Sequence, residues 1–251
     1  MRPAVLVTGG ARRIGQAVAR AFGRAGWHVV IHHRGSAAEA QQLAAELPSA
    51  ECVSCDLAVS DAAVSMISDL AARLSDWRVL INNASVFRHD DTSHLQPQVL
   101  KEAVSVNAES PVRMTQEFLA KSRSRQGRRV IQVTDQKLIN PNPDFLSYTM
   151  SKHALAATIA MMSMVRSDPR DRIYGLAPGA SLPSFDQQAQ EHQVSGRLNL
   201  LGRLTDPDEL AQAALFLSQG WLASGQTLLV DSGLHLTPTP RDVLFMARAE
   251  H

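Results

Sequence analysis

The sequence predicts a doubly wound α/β fold, a parallel sheet with helices on both faces, and three observations carry that expectation. Short β-branched apolar runs recur, helix-length segments with 3.6-residue periodicity lie between them, and the alternation persists along nearly the whole chain. The runs Ala4 to Thr8, Trp27 to His32, Cys52 to Cys55, Arg78 to Asn82, Arg129 to Thr134, Arg172 to Ala177 and Gln226 to Val230 each read as a strand, about seven in all. After the first of them, Ile14, Ala17, Val18, Ala21, Phe22 and Ala25 fall on one helical face. The mostly apolar stretch Ala154 to Val165 fits a core helix or a subunit interface. No repeat, low-complexity run or Pro/Gly/Ser linker interrupts the pattern, so residues 1–251 are expected to form a single domain. Two segments fall outside it: the polar, Gln-rich stretch from Gly179 to Leu204, expected to be a loop over the substrate, and Leu236 to His251, which carries Pro238 and Pro240.

Composition narrows the function. With 45% apolar and 20% charged residues, the chain is outside the disordered, fibrous and disulfide-scaffold classes. Its formal charge of +1 argues against a nucleic-acid or membrane-surface partner. That charge is unevenly spread, because residues 1–50 hold six arginines and two acids. A positive N-terminal fifth on a neutral protein points to a localised anionic ligand. The longest apolar candidate is interrupted by Thr158 and Ser163, and the N-terminus lacks the form of a signal peptide. Cys52 and Cys55 form a CxxC, but in a strand positions i and i+3 face opposite ways, so no metal is expected. A reduced, cytoplasmic setting follows as the expectation.

Thr8-Gly9-Gly10-Ala11-Arg12-Arg13-Ile14-Gly15 joins the first strand to the first helix. A glycine turn at a helix N-terminus lets backbone N–H groups and the helix dipole meet a pyrophosphate. At the end of the second strand, folds that bind NAD place an acid for the ribose 2′-hydroxyl, and those that bind NADP place basic groups. Here the strand runs into His32-His33-Arg34-Gly35-Ser36 with no acid. Arg34, Ser36 and, from the first loop, Arg12 are therefore assigned to a 2′-phosphate, and NADP(H) is the expected cofactor.

Several landmarks in this order resemble the short-chain dehydrogenase/reductase family over essentially the whole chain: Thr8 to Gly15, Asp56-Leu57, Asn82-Asn83-Ala84, Asn107, Tyr148-x-x-x-Lys152, Pro178-Gly179 and Val230-Asp231-Ser232-Gly233. The resemblance implies a Rossmann subunit, hydride transfer with NAD(P), and a homo-tetramer or dimer. It also implies cofactor contacts from Gly9, Arg12, Arg13, Ile14, Gly15, His33, Asp56, Leu57, Asn83, Ala84, Ser85, Lys152, Pro178 and Gly179. Three departures from the family pattern stand out: Arg13 replaces the usual middle glycine, Ser232 replaces one of two late glycines, and Asp135 stands thirteen residues before Tyr148, where a serine is usual. With Asn82 to Phe87 and Ser36-Ala37-Ala38-Glu39-Ala40, these features are similar to pteridine reductases and the related dihydromonapterin/dihydrofolate reductases.

Tyr148 and Lys152, at i and i+4, lie side by side on a helix. An ammonium about 4 Å from the phenol is worth about three pKa units, enough to bring a tyrosine toward neutrality. Tyr148 is thus expected to donate the proton, Lys152 to hold the nicotinamide ribose and Asn107 to position a water, the last two as the family implies. An ionised carboxylate cannot donate to a carbonyl oxygen as serine does. Asp135 instead suits a C=N bond, whose nitrogen gains a proton as hydride reaches carbon. Phe87 is expected to face the nicotinamide and sandwich a flat heteroaromatic ring, with Arg13 and Ser85 hydrogen-bonding either its polar edge or the cofactor phosphates. The leading expectation is an NADPH-dependent reductase of a pterin or dihydropterin. A carbonyl or alcohol oxidoreductase and a non-catalytic NADP(H)-binding sensor or scaffold are the alternatives.

Overall fold

A computed structural model describes residues 2–165, 168–184 and 187–249. Seven strands follow in chain order: β1 (Ala4–Val7), β2 (His28–His33), β3 (Ala50–Ser54), β4 (Trp77–Asn82), β5 (Arg129–Val133), β6 (Arg172–Pro178) and β7 (Thr227–Val230). They form one sheet in the order β3-β2-β1-β4-β5-β6-β7, every neighbouring pair parallel. Each strand lies within two residues of its sequence-predicted run.

The helices are α1 (Arg13–Arg24), α2 (Ala37–Glu46), α3 (Ser60–Arg73), α4 (Pro97–Val104), α5 (Ser110–Lys121), α6 (Leu146–Met164), α7 (Ala189–Arg197), α8 (Pro207–Ser218) and α9 (Val243–Ala249). Strand alternation sends successive side chains to opposite faces and so divides the core in two. Val5, Val7, Val29, Ile31, Val79 and Ile81 pack with Val18 and Phe22 of α1 and Leu210 and Leu217 of α8. Leu6, Val30, Leu80 and Val130 pack with Ile67 and Leu70 of α3 and Met114 and Phe118 of α5. Trp77 closes the second layer edge-to-face on Phe118, with ring centroids 4.8 Å apart.

Two expectations need correction. Ala25 is the exposed residue that ends α1, not a member of its buried face. The expected loop from Gly179 to Leu204 contains α7, whose N-terminus carries a reciprocal Gln188/Glu191 capping box; Phe185 and Asp186 of that stretch lie outside the described residues. The C-terminal stretch departs from the strand–helix alternation, as expected, and forms α9 against α7; its last two residues, 250 and 251, are outside the description. On α6, Leu155 and Ile159 are buried while Met161 and Met164 are exposed, so one face of the apolar helix serves the core. Among the described residues no helix is long and apolar enough to cross a membrane.

The strand order reverses direction between β1 and β4. In open parallel sheets a crevice forms at that point beyond the carboxyl ends of the strands. The described residues form a cavity there of about 660 Å³, within the range of small-molecule and cofactor sites.

Candidate active site

One wall of the crevice is the loop from β1 into α1. Thr8 Oγ1 accepts hydrogen bonds from the Asn83 and Ala84 N–H groups at 2.9 and 3.0 Å and donates to the Ile81 carbonyl at 3.3 Å. Asn83 Nδ2 donates back to the Thr8 carbonyl at 2.8 Å, so the Asn83 side chain braces the loop. Gly15 permits this closeness, because a Cβ there would lie 2.2 Å from the Gly9 oxygen. Gly9 itself is left-handed, at φ 61°.

Arg13 and Ser232, the two residues that stand in place of family glycines, have φ of 57° and 55°. Both keep the left-handed backbone that glycine adopts freely, at a cost of order 1 kcal/mol or more each. The Arg13 guanidinium donates to the carbonyls of Leu182 and Pro183 at 3.2 and 2.7 Å, joining the phosphate loop to the segment after β6.

At the other end of the crevice, His32 is buried, with both ring nitrogens engaged. The Gly9 N–H donates to Nδ1 at 3.1 Å, and Nε2 lies 3.1 Å from the Cys55 carbonyl. These contacts require the neutral tautomer with the proton on Nε2. Burial pushes its pKa down to about 4. His32 therefore ties the phosphate loop to the loop beyond β3, a role that reading the sequence missed; its signal was a histidine at an inward position of a buried strand.

Beside it, His33 Nδ1 is buried without a hydrogen-bond partner, and His33 lines the cavity with Arg34, Ser36, Asp56 and Leu57. An unpartnered polar atom in a lined cavity fits a polar ligand. Two of the three donors assigned to a 2′-phosphate have acidic neighbours. Arg12 is ion-paired with Glu39 of α2, and Arg34 lies 4.0 Å from the Asp56 carboxylate. The acid missing from the end of β2 is supplied by neighbouring elements. Both arginines remain more than half exposed and line the cavity.

Tyr148 and Lys152 occupy the first turns of α6 and are buried. The Tyr148 hydroxyl donates to Asp135 Oδ2 at 2.6 Å, while Asp135 Oδ1 accepts from the Lys137 N–H at 2.8 Å. Lys152 Nζ donates to the Val133 carbonyl at 2.7 Å and lies 5.7 Å from the centre of the Tyr148 ring.

The expected fall in the tyrosine pKa does not occur in this arrangement. Burial and the Asp135 carboxylate raise the Tyr148 phenol well above its ordinary value. Desolvation likewise raises Asp135, against the pull of Tyr148 and Lys137, and lowers Lys152 to about 8. Tyr148 lines the cavity, and Asp135, which accepts its hydroxyl proton, stands behind it outside the lining.

Asn107 lies in a single π-helical turn, Ser105–Glu109, an irregularity frequent at functional sites. Its amide donates to the Val86 carbonyl and the Ser151 hydroxyl and accepts from Val86 N–H and Ser85 Oγ, all within 3.1 Å. With its side chain so occupied, Asn107 positions the Ser85–Phe87 wall and α6.

Phe87 lines the cavity, stacked on Phe145 at 4.0 Å and edge-on to Tyr148 at 4.7 Å. Gly9, Ile14, Gly15, Asn83, Ala84, Ser85 and Pro178 also line it. Gly179 lies outside the lining and acts in packing, since a Cβ there would come 2.7 Å from Asp231. Cys52 and Cys55 are free thiols, and among the described residues no cluster could hold a metal.

Two predictions follow from the buried titratable groups. The unfolded chain protonates His32 below its ordinary 6.5, whereas the folded chain resists until about 4. Stability should therefore fall by up to about 3 kcal/mol as pH drops through that window. In denaturant titrations at several pH values His32→Gln should flatten the slope; an unchanged slope assigns the acid sensitivity elsewhere. For Lys152, the folded pKa of about 8 against 10.5 implies a penalty at neutral pH that is relieved as pH rises from 8 to 10.5. Lys152→Met should abolish turnover yet raise stability at pH 7 by up to about 3 kcal/mol, less the lost Val133 hydrogen bond, with the gain shrinking at pH 10.

Comparison with known proteins places this geometry. A family model described as enoyl-(acyl carrier protein) reductase matches residues 9–235. The crystal structure of FolM alternative dihydrofolate reductase 1 from Brucella canis, complexed with NADP, is similar with a TM-score of 0.88 and 29% identity, over 95% of this chain and 96% of that one. Pteridine reductase 1 from Leishmania tarentolae is 28% identical over 94% of this chain and 97% of its own. The granaticin polyketide synthase putative ketoacyl reductase 2 from Streptomyces violaceoruber is also 28% identical, over 93% and 96%. With the seven-stranded parallel sheet, the glycine loop and the Tyr148–Lys152 pair in place, the chain belongs to the short-chain dehydrogenase/reductase family of oxidoreductases.

Proposed function

We propose that the protein is an NADPH-dependent reductase of a pterin or dihydropterin C=N bond. The observation that carries this reading is the 2.6 Å hydrogen bond between the Tyr148 hydroxyl and Asp135, the carboxyl that stands where most of the family has serine. The similarity to a FolM dihydrofolate reductase crystallised with NADP and to a pteridine reductase supports it.

The cofactor supplies hydride when bound. Gly9, Ile14 and Gly15 offer a narrow loop at the α1 N-terminus for its pyrophosphate, and His33, Arg34 and Ser36, with Arg12, offer polar groups for a 2′-phosphate. Lys152, charged below about pH 8, would hold the nicotinamide ribose, and its cation favours the negative charge that develops on the Tyr148 oxygen as the phenol gives up its proton. Phe87 forms an apolar wall for a flat ring, and Ser85 and Arg13 lie beside it for the polar edge.

As the substrate nitrogen gains electron density, Tyr148 donates its proton into the cavity. For this the phenol proton turns from Asp135 Oδ2, to which it is donated at 2.6 Å, toward the cavity, and a proton taken up on Oδ2 can then pass back to the phenol oxygen. Burial raises the pKa of both groups, which favours their protonated forms. A homo-oligomer is part of this reading, drawn from the family.

An NADPH-oxidation screen of biopterin, dihydrobiopterin, dihydromonapterin, dihydrofolate and a ketone panel should show turnover of one or more pterin-type substrates; turnover of ketones alone would establish the carbonyl-reductase alternative. Tyr148→Phe should lower kcat by about 10²- to 10⁴-fold with NADPH affinity nearly unchanged, and retained activity would remove its role. Arg34→Ala should narrow the preference for NADPH over NADH by about tenfold or more, the worth of a charge-assisted hydrogen bond.

A further inference from the structure

Two residues after Asp135, Lys137 is buried at 3% exposure, an unusual place for an ammonium. Its Nζ donates to the Asp144 carbonyl at 2.7 Å and to the Asp242 carboxylate at 3.0 Å, and lies 5.2 Å from the centre of the Phe145 ring. Asp242 belongs to the C-terminal segment, 105 residues further along the chain. That segment is fastened at the same point: Arg241 makes a two-nitrogen ion pair with Asp144, and the Asp242 N–H donates to Asp144 Oδ2 at 2.7 Å.

These groups surround the proton-carrying pair. The Lys137 backbone N–H holds Asp135 Oδ1, leaving Oδ2 for Tyr148. Phe145, under the Lys137 ammonium, begins α6 in a left-handed conformation at φ 56° and precedes Tyr148 by less than one turn. Removing one partner of a buried ion pair leaves an uncompensated charge, which forces the surroundings to rearrange.

We propose that Lys137 and Asp242 are positioning residues that set the Asp135–Tyr148 hydrogen bond, so that the C-terminal segment of the chain is part of the machinery for proton delivery. The inference rests on the reading of Asp135 and Tyr148 as the proton path. The charged and titratable groups around Asp135 are Tyr148 and Lys152 of α6, Lys137 of its own turn, and Asp242 beyond Tyr148.

Asp242→Asn takes away the negative charge and leaves Lys137 unbalanced, which favours the ionised form of Asp135 and moves the pH limb that it governs to lower pH. The test measures kcat, KM, NADPH affinity by fluorescence, and the pH dependence of kcat for Asp242→Asn, Asp242→Leu, Lys137→Met, Asp242→Glu, and the double variant Lys137→Met with Asp242→Leu. Each neutral single variant should lose about ten- to a hundredfold in kcat, with NADPH affinity nearly unchanged. Asp242→Glu, which keeps the charge, should restore the pH limb. The double variant should lose less than the product of the two single losses, because it leaves no lone charge; it also carries the test if Asp242→Asn does not fold. Wild-type kcat and pH profile in Asp242→Asn, or multiplicative losses in the double variant, would overturn the proposal. If Tyr148→Phe and Asp135→Asn themselves retain turnover, the underlying proton path fails instead.

Discussion

The crevice depends on one junction, the meeting of β1 and β4 at the point where the sheet reverses direction. Strands that part there expose backbone groups that water or a ligand must satisfy. Thr8 and Asn83 satisfy them across the gap with hydrogen bonds of 2.8 to 3.0 Å, so the glycine loop and the Ser85–Phe87 wall are held by the same two side chains. His32 extends the bracing to the third strand's loop. The cavity is thus framed by polar contacts between loops whose separation is fixed by the sheet beneath them.

Within that frame the three titratable groups at the base of α6 are displaced in the directions that burial dictates. The two acids, Asp135 and Tyr148, rise, and the base Lys152 falls to about 8. Each shift disfavours charge; neighbours oppose it at Asp135 and Lys152, whereas at Tyr148 the Asp135 and Asp242 carboxylates add to it. The result is a cluster in which a proton can change hands without creating an isolated ion. Backbone anchors, Val133 for Lys152 and the Lys137 N–H for Asp135, keep the two flanking groups from collapsing onto one another.

Much of this was legible along the chain. Parallel strands covered on both faces are nearly continuous apolar runs, so all seven could be read locally. The glycine loop, Tyr148 and Lys152 were legible because their spacing is fixed by one turn or one helix, and Asp135 through the resemblance to a family that has serine at that place. What escaped depends on partners distant in sequence. Glu39 neutralises Arg12 from the next helix, Asp242 neutralises Lys137 from the end of the chain, and Val133 draws the Lys152 ammonium toward the strand. Helix α7 escaped for a local reason: nine polar-rich residues give a weak periodic signal, and its capping box was its clearest mark.

Arg13 and Ser232 have a consequence beyond their own contacts. Each sits in the backbone conformation of the glycine it replaces, so the loop path is set by the surrounding fold and not by the residue's preference. Side-chain chemistry at these two points can therefore be exchanged while the main-chain trace stays where it is. A guanidinium added to the mouth of a glycine loop costs local strain, and withdrawing it also gives up its hydrogen bonds to Leu182 and Pro183. For an engineer, Arg13 is a socket: the scaffold accepts a new ligand contact there without redesign of the turn.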